Sequence, residues 1–148
     1  MRLSARVDYA LRAMSELAAA GEPRTVDQLA TAQQIPAKYL EAILGELRRS
    51  GLLHSQRGPD GGYRLARPAD KISIAEVIRA LDGELANVRG NRPEELTYAG
   101  AAVTLQKVWI ALRASERSIL EQVSLAQVAS DRLPRRVSSL AAKPEAWV

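Results

Sequence analysis

The sequence predicts a mainly α fold that carries one two-stranded β-hairpin and a long helix toward the C-terminus. Three observations predict it. Apolar residues recur at three- to four-residue spacing through most of residues 4–82, the signature of helices with one buried face. Two short strand-like runs flank the turn-rich stretch Gly58-Pro59-Asp60-Gly61-Gly62. A heptad-like series then runs from Tyr98 to Val123.

The elements follow in order. Val7, Leu11, Met14, Leu17 and Ala18 place one apolar face on a first helix over residues 4–20, with Ser4 as its cap and Gly21-Glu22-Pro23 as its stop. Thr25 and Gln28 form a capping-box pattern that starts a short second helix. Ile35-Pro36 ends that helix, because proline disfavours helix in the residue before it. Pro36 then suits the start of a third helix, with Leu40, Ile43, Leu44 and Leu47 as the buried stripe and Gly51 as the stop. Two short helices joined by a tight connection read as a helix-turn-helix. The hairpin that follows, residues 52–57 and 63–67, reads as a wing. The combination is more specific than either part. Ser73 and Glu76 cap a further helix with Ile74, Val77, Ile78 and Leu81 on its core face, closed by Asp82-Gly83.

Residues 84–95 are polar and punctuated and read as a linker. Beyond them Tyr98, Ala102, Leu105, Trp109, Leu112, Glu116, Ile119 and Val123 are spaced alternately by four and three residues, and all but Glu116 are apolar. A continuous helix over 96–124 would be roughly 40 Å long, too long for the small winged domain to cover, so a second copy of the chain is the expected lid. Tyr98, Ala102, Leu105, Trp109, Leu112, Ile119 and Val123 are the expected dimerisation residues. Ser124 and Gln127 open a last short helix, and residues 131–148 read as a flexible tail. The expected organisation is a winged helix-turn-helix domain at 1–83, the linker at 84–95, a dimerisation helix with a short following helix at 96–130, and the tail.

Charge and composition narrow the function. The chain has 148 residues, 21 Lys+Arg against 17 Asp+Glu, and no Cys. Lack of Cys excludes disulfides, thiolate nucleophiles and thiolate-held metal sites. No apolar run approaches the ~20 residues that span a bilayer, and the N-terminus lacks the apolar core of a secretory signal, so a cytoplasmic location is expected. There is no Ser-His-Asp arrangement, phosphate loop or nucleotide fingerprint, so no enzyme is expected. The cations are uneven: residues 48–67 hold Arg48, Arg49, Arg57, Arg64 and Arg67 against the single acid Asp60. That excess suits a polyanion partner, and equally a solvated basic loop.

Certain runs go further. Ile35-Pro36-Ala37-Lys38-Tyr39-Leu40-Glu41-Ala42-Ile43-Leu44, Ser50-Gly51-Leu52-Leu53, Ser55 to Arg67, and Ile72 to Ile78 with Asp82-Gly83 resemble the Rrf-two family of bacterial transcription regulators, that of IscR, NsrR and CymR. The likeness is strong over residues 1–83 and extends to about residue 129. It implies a homodimeric winged helix-turn-helix protein that binds double-stranded DNA at a near-palindromic operator and usually represses. By motif match Ala37, Lys38, Tyr39 and Glu41 lie at recognition-helix positions, and Arg57 lies at the wing position that reaches the minor groove. Thr25, Arg48, Gly58, Gly61, Gly62 and Tyr63 complete the candidate DNA-binding set.

Independent physics agrees. An Arg in a narrow minor groove meets enhanced negative potential, exposed Lys38 and Tyr39 on a first helical turn can reach bases or phosphates, and the glycines permit sharp turns and close approach to phosphate. For Tyr39 a core position is the alternative.

One departure matters. Many relatives hold an iron–sulfur cluster with three Cys between the fourth helix and the long helix, whereas residues 84–103 here contain neither Cys nor His. Asp8 stands where some members supply a carboxylate ligand, and His54, the only His, has no partner at ligand spacing. No metal or other cofactor is expected. The input signal stays open between a small-molecule effector near Arg89, Arg92, Tyr98 and Trp109 and a cysteine-synthesis enzyme, as in the CymR type. A winged module that binds protein and not DNA is the alternative function.

Overall fold

The computed structural model describes residues 1–147. Its α1 (Ala5–Ala20), α2 (Val26–Gln33), α3 (Ala37–Arg49), β1 (Leu53–Gln56), β2 (Gly62–Leu65) and α4 (Ile74–Asp82) follow the predicted order. Ser4 caps α1 by accepting from the Val7 N–H at 3.2 Å. Thr25 and Gln28 form the reciprocal capping box of α2, and Ser73 and Glu76 that of α4. Each box satisfies two backbone N–H groups that a helix start leaves orphaned.

The core gathers Val7, Met14, Leu17, Leu29, Ile35, Leu40, Leu44, Leu47, Leu53, Ile72, Val77 and Ile78. The stripe of α3 is buried as its spacing predicts. On α1, Ala10 and Ala13 are buried while Leu11 and Ala18 are only half-buried. The face is therefore rotated toward the alanines, which let neighbouring helices approach closely.

β1 and β2 pair antiparallel, with Leu53 opposite Leu65 and Gln56 opposite Gly62. The wing has a third backbone partner: Arg24 and Tyr63 exchange two main-chain hydrogen bonds, at 2.9 and 2.7 Å. The α1–α2 connection thus extends the hairpin edge, and the wing is anchored to the body.

The C-terminal half departs from expectation. The predicted 96–124 helix is α5 (Leu105–Leu120), 16 residues, about 24 Å long at 1.5 Å per residue. Before it the chain makes 3-10 turns at Pro93–Glu95 and Gly100–Ala102. Ala99 is extended and Gly100 takes φ 57°, a left-handed conformation that interrupts the helix the heptad pattern implied. Tyr98 and Ala102 therefore precede α5. At the other end the Ile74 N–H donates to the Val123 carbonyl and the Leu125 N–H to the Ile72 carbonyl, both at 3.0 Å. Val123 is buried by these contacts.

α6 (Leu125–Ala129) packs on α1, and Leu125 is fully buried in the core. A boundary at residue 83 therefore divides what the structure joins, since a residue past α5 fills the first domain's core. The linker also packs, with Leu85 in the core and Pro93 fully buried. The segment expected as a loose tail carries α7 (Arg135–Ala141), started by Pro134, which presets the helical entry. No helix of the described residues is long and apolar enough to cross a membrane.

Candidate nucleic-acid interface

The first turn of α3 exposes Lys38, Tyr39 and Glu41 and half-buries Ala37. Leu40 takes the core position between them, so the turn is fixed by burial on one side and offers polar groups on the other. Tyr39 is 45% exposed. It is not a core residue, but it is held: its ring meets Tyr9 of α1 edge-on, with centroids 5.6 Å apart at 88°. The Arg12 guanidinium stands 5.4 Å from the centroid of Tyr9 and donates to the Gln33 side chain at 3.1 Å and to the Gln33 carbonyl. Gln33 closes α2, so Arg12 ties α1 to the turn of the helix-turn-helix. Arg6 pairs with Glu46 at 2.6 Å and adds a tie from α1 to α3.

Sequence reasoning missed this support. Tyr9 and Arg12 stand on the flank of α1 away from its apolar stripe, and only their spacing of three residues hinted that they share a face.

The wing presents Arg57, Gly58, Pro59 and Asp60 to solvent. Its glycines have distinct roles. A Cβ on Gly61 would stand 2.3 Å from the Gln56 carbonyl oxygen, and one on Gly62, at φ +141°, would stand 2.4 Å from the Arg24 carbonyl oxygen. Their identity is thus set by the hairpin's own packing, whereas Gly58, at φ +105°, has open space around it. Tyr63 is half-buried and packs against the core, and its backbone makes the bonds to Arg24. Thr25 sits at the base of the wing, its N–H beside Gly62. The Arg48 Nη1 donates to Ser55 Oγ at 3.4 Å, linking α3 to β1.

The ion pairs divide the cations. Among the described residues Arg6, Arg12, Arg24, Arg67, Arg79, Arg92, Arg113 and Arg117 are paired with carboxylates. Lys38, Arg48, Arg49, Arg57 and Arg64 of α3 and the wing are exposed and take part in none of these pairs, as is true of Arg2, Lys71, Arg89, Lys107, Arg132, Arg135, Arg136 and Lys143 elsewhere. At the foot of the wing Arg67 pairs with Glu76 at 2.5 Å. Burial raises the Glu76 pKa, but the Ser73 N–H and Arg67 outweigh it and hold the carboxyl below its ordinary value.

These features are those of a winged helix-turn-helix, and comparison places them. The model of the Rrf2 family, described as iron-dependent transcriptional regulators, matches residues 3–131. The chain belongs to the Rrf2 family. It is a DNA-binding transcriptional regulator of the helix-turn-helix type. It is 50% identical over 143 residues to a Mycobacterium tuberculosis protein named as an HTH-type transcriptional regulator, covering 95% of this chain and 89% of that one. It is 31% identical over 147 residues to IscR of Cereibacter sphaeroides, covering 90% of each. Its fold is similar to that of CymR, the global cysteine regulator of B. subtilis, with a TM-score of 0.72, 28% identity, and 88% of this chain and 97% of that one covered.

The family's description names iron, and the donor set here does not fit a thiolate-held cluster. The chain has no Cys. His54 lies exposed on β1, and Asp8 pairs with Arg12 at 3.3 Å. Among the described residues no three His, Cys, Asp or Glu side chains are grouped to hold a metal. Of the four suggested effector residues, Arg92 is paired with Glu84 at 3.2 Å, Arg89 is exposed, and the Trp109 Nε1–H donates to the Tyr98 hydroxyl at 3.0 Å.

Proposed function

We propose that the protein is a homodimeric, sequence-specific DNA-binding repressor that reads a near-palindromic operator without an iron–sulfur cluster. The observation that carries the reading is that exposed, unpaired Lys38, Arg48, Arg49, Arg57 and Arg64 fall on α3 and the wing, together with the exposed first turn of α3. Lys38 and Tyr39 suit base-edge or phosphate contacts in the major groove, Glu41 suits a cytosine amino group, and Arg57 suits the minor groove. Thr25, Arg48, Gly58, Gly61, Gly62 and Tyr63 belong to the same face in this reading, Gly61, Gly62 and Tyr63 by shaping the wing. Repression is the direction that the family resemblance implies.

A second copy is supported by α5, where Leu105, Val108 and Leu112 are each at least 40% exposed and lie at helical spacing on one face. Trp109 and Ile119 are half-buried beside that stripe. Tyr98 and Ala102 lead into the helix, and Val123 is engaged within its own chain.

The test begins by selecting bound sequences from random DNA. Arg57→Ala is expected to weaken binding to the selected site about tenfold or more, in line with ~1–3 kcal/mol for a specific groove contact. Unchanged affinity refutes the wing assignment and favours a protein-binding module. The likeness to CymR supports a second input, control by a cysteine-synthesis enzyme. Loss of operator binding on adding such an enzyme would establish it.

A further inference from the structure

Glu116 stands apart from every other charge in the described chain. It is 9% exposed, and no hydrogen-bond donor reaches either of its carboxylate oxygens. An ionised carboxylate buried without a partner is among the costliest arrangements a fold can carry. The arginines nearest along α5 do not relieve it: Arg113 pairs with Glu94 at 2.6 Å and Arg117 with Glu121 at 2.9 Å.

Glu116 lines a cavity of about 220 Å³ between the C-terminal end of α4, the turn that follows it and α5. Ile78, Leu85 and Leu112 give this cavity an apolar wall. Asp82, Glu84 and Asn87 give it a polar one, and the N-terminal residues Met1, Arg2 and Leu3 also line it.

We propose that this cavity binds a small organic cation, an aliphatic ammonium or guanidinium, whose head the Glu116 carboxylate receives. The chemistry of the walls selects the class. Two acceptor oxygens call for a donor-rich cation, and the apolar wall calls for a short hydrocarbon body. A bare divalent ion is a poor match, since no three candidate ligands are grouped there. At about 30 Å³ per water-sized group the volume admits roughly seven heavy atoms, the size of a four-carbon amine or guanidine.

The place gives the site its interest. Ile78 and Asp82 belong to the helix that closes the DNA-reading unit, and Leu112 belongs to the exposed stripe of α5. A ligand seated between them touches both. This inference stands on Glu116 and its cavity and does not depend on the DNA-binding assignment.

The experiment is a titration of the full chain with n-butylammonium and n-butylguanidinium chloride, with 1-butanol, sodium butyrate and matched sodium chloride as controls. It is followed by thermal unfolding and by backbone amide NMR. A saturable rise in Tm with the cations alone, with amide shifts concentrated at residues 82–87 and 112–116, is the expected result. Glu116→Gln is expected to weaken binding at least tenfold.

A rise equal to that with butanol or salt, no saturable rise, or equal binding by Glu116→Gln would overturn the proposal. Arg2→Ala separates the remaining alternative. Binding equal to wild type supports the proposal, whereas binding only in Arg2→Ala means that the chain's own arginine fills the site and the proposal fails. Should Glu116→Gln not fold, the ligand selectivity and the amide shifts of the wild type decide.

Discussion

Gly62 shows how a single position can shape an element without exposing a side chain. Its backbone sits at φ +141° with the Arg24 carbonyl where a side chain would begin. Gly62→Ala must therefore strain the backbone and push the α1–α2 connection off the wing. A loss of about 1–3 kcal/mol is expected in urea unfolding, with the two Arg24–Tyr63 hydrogen bonds the first to exchange. Tyr9 acts similarly at α3. Its ring meets Tyr39 edge-on and carries Arg12 beside it. Arg57, at the exposed wing tip, is the opposite case, a side chain whose loss should leave stability unchanged and cost only DNA affinity. The sequence made Arg57 and Gly62 visible through their motif. It did not make Tyr9 visible as a support, because an aromatic edge contact between two helices leaves no periodic signal.

At the level of elements, the capping boxes carry much of the local specification. Ser73→Ala and Ser124→Ala should each cost about 1 kcal/mol, read as a lowered midpoint in thermal or urea unfolding. Two ion-paired acids add a pH dependence. Arg79 of α4 and Arg117 of α5 hold the Glu121 carboxyl below its ordinary pKa against a smaller opposing effect of burial; for Glu76 burial is the largest single effect and raises the pKa, but Ser73 and Arg67 together outweigh it and lower it. Folding therefore disfavours protonation of both groups. Their contribution is complete above the ordinary carboxylate range and is lost as pH falls through the lowered folded-state values. Acid titration of stability should show this loss, and Glu121→Gln should flatten part of it. α5 itself was only partly legible. Its heptad spacing picked out Leu105 and Leu112 of the exposed stripe but not Val108, and spacing carries no information on Gly100 adopting a left-handed turn and starting the helix late.

For the whole molecule, the decisive contact is the return of the chain after α5. Leu125 is fully buried against α1, and its N–H closes onto the Ile72 carbonyl. Leu125→Ala should cost ~2–5 kcal/mol, the range for a buried leucine truncated to alanine. A fragment ending at residue 83 should melt well below one ending at residue 131, with circular dichroism as the readout. A fragment of residues 1–83 as stable as the longer one would show that α6 only decorates the core. Binding to DNA should also weaken steeply with salt as phosphate counterions are released, and a flat response would count against the cationic face.

The sequence by itself determined the local elements: capping boxes, apolar stripes and the glycine-rich wing are set by near neighbours and by backbone chemistry that any reader of the chain can weigh. It also determined that thiolate chemistry is absent. Only the tertiary structure decided that residues 72–74 and 123–125 meet, that Tyr9 braces Tyr39, and that Glu116, a polar interruption in an apolar series, turns toward a cavity in its own domain. These depend on which distant surfaces come together, and the free energy of burying one surface against another is a property of the pair, not of either segment alone.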